Sequence, residues 1–217
     1  MVTVLQMQNS AANTFLAELR NINIQQDSLR FRKNLERLGE IFAYEISKKL
    51  AYESQDIDSP LGIASMMLPS QPLVVATILR AGLPFHQGIL NFFDHAESAF
   101  VSAYRKTEKD GSFEIQLDYI SAPDLNDKVL ILADPMLATG QSVDVSLKGL
   151  FHYGMPSKIH VVSVISTIQG INYLKSKLPH NADIWTVAID EELTAQSYIV
   201  PGLGDAGDLA FGEKMSF

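Results

Sequence analysis

Hydrophobic positions first recur with a helical period after Asp27-Ser28, which supply a plausible N-cap. Phe31, Leu35, Leu38, Phe42, Ile46 and Leu50 follow at steps of three or four. Arg30, Arg32, Lys33, Glu36, Arg37 and Glu40 fall between them, a charged face that is either simply solvated or a seat for an anion or a partner subunit. Residues 54–72 are looser, with turn residues Pro60, Pro69 and Pro72. Beyond them the texture changes to short apolar runs that read as buried strands over 73–79, 99–104, 129–133, 159–165 and 184–189. Helical patterns over 85–92, 143–153 and 170–178 sit between several of them. Strands alternating with helices predict an α/β fold with a mainly parallel central sheet flanked by helices. The N-terminal helix and the C-terminal tail are expected outside that sheet. Lys106-Thr107-Glu108-Lys109-Asp110-Gly111-Ser112, polar and containing Asp-Gly between two strand-like runs, is either a surface hairpin loop or a flap over a site at the strand ends.

Composition narrows the classes. The chain has 217 residues, the size of one domain, and 47% of them are hydrophobic, too many for disorder. Lys and Arg number 17 against 25 Asp and Glu, a net charge of −8 that argues against broad contact with nucleic acid or an anionic membrane. The absence of cysteine excludes disulfides, thiolate metal sites and a cysteine nucleophile. No basic, apolar leader opens the chain and no run approaches the ~20 apolar residues of a membrane span, so a cytoplasmic protein is expected.

Ligands of open parallel sheets bind beyond the carboxyl ends of the strands, so the residues that follow each strand carry the chemistry. Arg80-Ala81-Gly82 follows the first run, a cation beside a glycine that would let backbone approach a ligand; Arg105 follows the second. Asp134-Pro135-Met136-Leu137-Ala138-Thr139-Gly140-Gln141-Ser142 follows the third and leads into a helix. Free amides and the positive end of the helix dipole, with Thr139 and Ser142 hydroxyls, form an anion cradle, and Asp134 suits ribose hydroxyls. The ligand so described is a phosphorylated sugar; the bland alternative is a loop whose Ser or Thr merely caps its helix. Gly202-Leu203-Gly204-Asp205-Ala206-Gly207 matches the dinucleotide pattern G-x-G-x-x-G, yet only ten residues follow it, too few for the strand–helix–strand unit that pattern needs. Its glycines still allow bare backbone to approach a flat ligand. The histidines, His86, His95, His152, His160 and His180, show no ligand spacing, and Asp190-Glu191-Glu192, following the last strand, reads as a solvated acidic turn, the alternative being a site role by position.

These segments together resemble the type I phosphoribosyltransferase family, in its uracil phosphoribosyltransferase branch. Residues 134–142 are similar to its diphosphoribose-binding loop, Ile78-Leu79-Arg80-Ala81-Gly82-Leu83 to its pyrophosphate-side loop, and residues 198–208, continuing into Phe211-Gly212, to its uracil-binding tail. With Phe31-Arg32 and Tyr44-Glu45, the resemblance covers nearly the whole chain. It implies one domain: an N-terminal helical segment over about 1–53, a core over about 70–190 and a small C-terminal hood over about 191–217. Arg80 and Arg105 would bind the diphosphate of 5-phosphoribosyl-1-diphosphate (PRPP), Asp134 the ribose hydroxyls, and Ala138, Thr139, Gly140, Gln141 and Ser142 the 5′-phosphate, with Pro135, Met136 and Leu137 completing the loop. Ile199, Gly204, Asp205 and Ala206 would read uracil through backbone groups, with Asp205 also near PRPP and a candidate to help remove the N1 proton. The resemblance further implies Mg²⁺ carried on PRPP, closure of the 106–112 loop as a flap, and a homodimer or larger homo-oligomer. Alternatives within the same reading are a phosphoribosyltransferase for another base and a catalytically weak PRPP-binding regulatory relative. Gln141 and Pro84 replace usual glycines, Leu209 and Glu213 replace residues more often basic and Thr, and Met215-Ser216-Phe217 extends the tail.

Overall fold

A computed structural model describes residues 1–107 and 113–214, the side chains of 104–107 and 113–114 excepted. The chain opens with β1 (Val2–Val4), α1 (Ala11–Arg20) and α2 (Ser28–Ser47), followed by β2 (Tyr52–Ser59) and β3 (Gly62–Pro69). Then come β4 (Leu73–Leu79), α3 (Gly82–Leu90), β5 (Glu97–Thr107), β6 (Phe113–Ser121), β7 (Val129–Ala133), β8 (Met136–Leu137) and α4 (Gln141–Leu150). The last third holds β9 (Lys158–Thr167), α5 (Ile168–Lys177), β10 (Ala182–Asp190), β11 (Glu192–Leu193), β12 (Ile199–Val200) and α6 (Ala206–Phe211). The central sheet runs β1-β10-β9-β7-β4-β5-β6, parallel throughout except for the antiparallel β5–β6 pair, and β8 adds to β9.

Every residue of β7 is buried, as a central parallel strand covered on both faces requires. Val75, Ile131, Val162 and Trp185 face one core with α1, α2 and α3, while Val74, Leu130, Leu132 and Val161 face a second with α4 and α5. The α2 stripe behaves as its period predicts: Phe31, Leu35, Leu38, Phe42 and Ile46 are buried, and the Asp27 carboxylate accepts the amides of Leu29 and Arg30. The charged face of α2 finds partners within the chain. Arg30 pairs with Glu18 on α1 and Lys33 with Glu36, while Arg32 donates to Ala210 O at 2.6 Å and lies over the Phe211 ring. Arg32 therefore ties α2 to α6 at the C-terminal end.

Two segments depart from the pattern reading. The loose stretch is a hairpin, β2–β3, in which all residues but Leu68 are exposed. Its apolar positions lie on both faces, Ile63 and Met67 on one and Ile57 and Met66 on the other, so no alternation marked it as sheet. The N-terminal segment also supplies more than a helix, because β1 extends the sheet edge beside β10. Among the described residues no helix is long and apolar enough to cross a membrane.

Candidate active site

The loop after β7 is fixed at its start by hydrogen bonds to its backbone. Asp134 Oδ1 accepts the amide of Met136, and Pro135 O accepts those of Val164 and Ile165, which fixes the loop against β9. Gly140 is the N-cap of α4 with φ of +82°, a left-handed conformation that disfavours a side chain. It offers no side-chain cap, so the N-terminal amides of α4 stay available to an anion. The nearest hydroxyl, Thr139 Oγ1, stands at a long 3.4 Å from the Gln141 amide, and Ser142 makes no cap. The loop rests on α5: the Thr167 hydroxyl donates to Ala138 O at 2.6 Å and accepts the Gly170 amide at 2.9 Å. Below it, buried Asp144 accepts from Tyr173 Oη and Lys148 Nζ, each at 2.9 Å.

Thr77 in β4 and Ala133 in β7 are register partners, so the loops beginning at Arg80 and Asp134 leave neighbouring strand ends. Gly82 serves packing rather than close approach to a ligand: a side chain there would overlap Thr77 Oγ1 and stand 3.1 Å from Ala133 O. Arg80 turns toward the C-terminal tail. It donates to Asp208 Oδ1 at 2.6 Å and to Gly212 O at 3.1 Å, crossing the first turn of α6 beside Gly207.

In that tail, Ile199 and Leu203 are buried anchors, while Gly204, with φ of +85°, is exposed. Among the described residues, Leu209 and the Gln25 amide oxygen are what stand within 4 Å of a Cβ built at Gly204, its chain neighbours aside. Asp205 caps α6 by accepting the amides of Gly207 and Asp208, both at 3.0 Å, and pairs with Lys214 at 2.9 Å. Burial works against its charge, but the Lys214 bond and the cap amides outweigh burial and hold its carboxyl below the usual aspartate range. A carboxylate so held is a weak base, which counts against its removing the N1 proton. Ala206 is buried at the start of α6.

Arg80, Asp205 and the tail are thus brought together, and Asp134 begins the loop next door. Arg105 follows in β5 with its side chain outside the described residues, as are residues 108–112 of the candidate flap. Asp190 is no solvated turn. It is 5% exposed, forms a two-pronged ion pair with Arg20 and accepts the Gly202 amide. Arg20, Asp190 and Thr167 escaped the sequence reading because each acts through a contact distant in the chain, and only the arrival of Asp190 and Thr167 at strand ends hinted at them; Lys214 reaches back to Asp205 across nine residues that no periodic pattern links.

The uracil phosphoribosyltransferase family model matches residues 6–213. A uracil phosphoribosyltransferase of Porphyromonas gingivalis is 52% identical over 208 residues, covering 96% of each chain. One from Methanothermobacter thermautotrophicus is 39% identical over 188 residues, covering 86% of this chain and 85% of the other. The AQ2163 protein of Aquifex aeolicus superposes with a TM-score of 0.87 at 29% identity over 98% of both chains. A family model spanning nearly the whole chain, with relatives alike from end to end, leaves one assignment: this chain belongs to the uracil phosphoribosyltransferase family, with its type I phosphoribosyltransferase fold.

Proposed function

We infer that residues 134–142 and Arg80 hold PRPP, and that the hood from Ile199 to Ala206 holds uracil, for the reaction of this family. The 5-phosphoribosyl group passes from PRPP to N1 of uracil, giving uridine 5′-monophosphate and pyrophosphate, a pentosyl transfer of pyrimidine salvage. The carrying observation is the junction at α6, where Arg80 crosses Gly207 between Asp205 and Asp208. One cation of the diphosphate side and the base-side tail therefore share a wall. The 5′-phosphate would take the amides of Ala138, Thr139, Gly140, Gln141 and Ser142, with Asp134 on the ribose hydroxyls. Pro135, Met136 and Leu137 keep that loop against β9.

Positive charge develops at ribose C1 as pyrophosphate departs, so the protein has to hold two reactants in line and stabilise the leaving group. Arg80 and Arg105 supply cations for it. The chain as a whole carries −8, so local dipoles and arginines have to dominate the attraction. Among the described residues no three His, Asp or Glu side chains converge on a cation site, so Mg²⁺ would be held chiefly by PRPP oxygens, with Asp134 and Asp205 the nearby carboxylates. Bound there, it would neutralise charge on the diphosphate. Uracil offers N3–H and O4 where cytosine offers a bare nitrogen and an amino group, so fixed peptide groups beside Ile199, Gly204 and Ala206 would be mispaired by cytosine.

The exposed hairpin supports a homodimer, since a two-stranded hairpin alone is marginal in water and this one shows Leu61, Ile63, Met66 and Met67 to solvent. Met66→Glu with Ile63→Asp should halve the sedimenting mass if it is the contact. A cytoplasmic location accords with the intracellular supply of PRPP. The deciding experiment mixes the protein with PRPP, Mg²⁺ and a panel of bases. The mononucleotide should form with uracil far faster than with cytosine or a purine; product from another base alone would refute the base assignment.

A further inference from the structure

We propose that Arg20 and Asp190 are positioning residues for the base, acting by clamping both peptide groups of Gly202. Asp190 Oδ2 accepts the Gly202 amide at 3.0 Å, while Arg20 Nη1 donates to Gly202 O at 3.0 Å. The two side chains are themselves joined by a fork, Nη1 to Oδ2 at 2.8 Å and Nη2 to Oδ1 at 2.7 Å. Four bonds thus surround one glycine. Its backbone has φ of +62°, and any side chain would overlap Ile199 O. Gly204 is two residues further on, with buried Leu203 between.

The clamp has an origin at each end of the fold. Arg20 is the last residue of α1 and Asp190 the last of β10, so the hood is referenced to the helical layer and to the sheet together. Arg20 is partly exposed and Asp190 buried, and an ion pair so placed is weak evidence for stability, because desolvation offsets much of its attraction. What this pair does provide is direction: a planar guanidinium bound at three points cannot rotate, and neither can the peptide groups it holds. A base read by peptide edges needs those edges fixed before it arrives, and a displacement of about 1 Å is enough to lower a rate by roughly 100-fold.

This inference rests on the reading that the tail holds uracil, and the test separates the two. Steady-state kinetics would be measured with uracil varied at saturating PRPP, and the reverse, for Arg20→Lys, Arg20→Met, Asp190→Asn and Gly204→Val. Arg20→Lys keeps the charge but loses the fork. It should lower kcat/KM for uracil by about tenfold or more while KM for PRPP stays within about twofold. Asp190→Asn keeps an acceptor for the Gly202 amide and should behave alike, more mildly. Arg20→Met, if it folds, should show the largest loss. A merely structural pair would lower the thermal midpoint and leave the uracil and PRPP constants unchanged or moving together; either result in folded Arg20→Lys overturns the clamp. Unchanged uracil kinetics in Gly204→Val would instead remove the base-site reading itself. An effect in Gly204→Val with none in the Arg20 and Asp190 variants removes the clamp alone.

Discussion

Gly140→Ala tests the phosphate loop most directly, because both of its effects follow from coordinates. At φ of +82° alanine sits in the left-handed region, at a cost of about 1–2 kcal/mol. Its Cβ would stand 3.0 Å from Gly170 O, 3.0 Å from Tyr173 Cδ1 and 3.1 Å from Leu174 Cγ, distances at which the neighbours must yield. Overpacking of this kind costs about 1–3 kcal/mol, and the stiffer unfolded chain returns about 0.4–1 kcal/mol. A net loss of about 2–3 kcal/mol corresponds to a fall of roughly 5–10 °C in Tm for a chain of this size. The crowding acts on the loop side, so KM for PRPP should rise about tenfold or more while KM for uracil barely moves. Gly140→Asn separates the causes, since asparagine tolerates the left-handed region but presents the same Cβ. Gly212→Ala is a thermal control, with φ of +86° and, among the described residues beyond its chain neighbours, no atom within 4 Å of the added carbon. Wild-type Tm in Gly140→Ala would refute the packing argument. A lowered Tm with unchanged KM for PRPP would refute the loop as the phosphate site.

Other outcomes follow from the same geometry. Thr167→Val removes the hydroxyl that holds Ala138 O and caps α5, and should cost about 0.5–2 kcal/mol with KM for PRPP raised and KM for uracil unmoved; equal shifts in both would contradict it. His160 is fully buried, and burial, with Lys158 nearby, lowers its pKa to about 4. The unfolded chain then takes the proton first, so stability present above pH 6.5 falls toward pH 4 by about 3 kcal/mol. His160→Gln keeps an acceptor for the Trp185 indole and should flatten that part of a Tm–pH profile, leaving the contribution of His86, whose pKa burial also lowers; an unchanged profile would refute this. Asp205→Asn should leave the pH dependence of kcat unchanged above pH 5, because Lys214 and the cap amides hold the carboxyl ionised there; a wild-type fall in kcat as pH drops toward neutrality that the variant loses would restore it as a proton acceptor.

The sheet was legible because buried parallel strands are continuous apolar runs: 73–79 and 129–133 agree with β4 and β7 to the residue. The loop after β7 was legible for a related reason, since a strand, a glycine and a helix start leave few geometries open. What was hidden needed a tertiary cause. The β2–β3 hairpin leaves every residue but Leu68 exposed, so its side chains carry no alternation to read. Asp190 looks acidic and turn-like beside Glu191 and Glu192, and only its meeting with Arg20, 170 positions away, makes it a buried ligand of Gly202. Arg80 was correctly brought to a strand end, yet nothing local revealed that Asp208 and Gly212 O would receive it.

The register of the sheet joins the two halves of the site. Asp190, closing β10, is the ladder partner of Thr167, closing β9. Thr167 holds the carbonyl of Ala138 in the loop after β7, and Asp190 holds the amide of Gly202 in the C-terminal tail. Two neighbouring strand ends thus each grip one loop. On the proposed assignment of those loops, the separation of sugar phosphate and base would be referenced to the spacing between adjacent strands, about 4.8 Å. That spacing is among the stiffest distances in a protein, because every backbone bond of the ladder would have to stretch to change it. Reactants that must meet in line gain most from such a reference, since misalignment is corrected neither by charge nor by affinity. On the same proposal the net charge of −8 is tolerable because local dipoles and arginines at the strand ends, rather than long-range attraction, would hold each reactant.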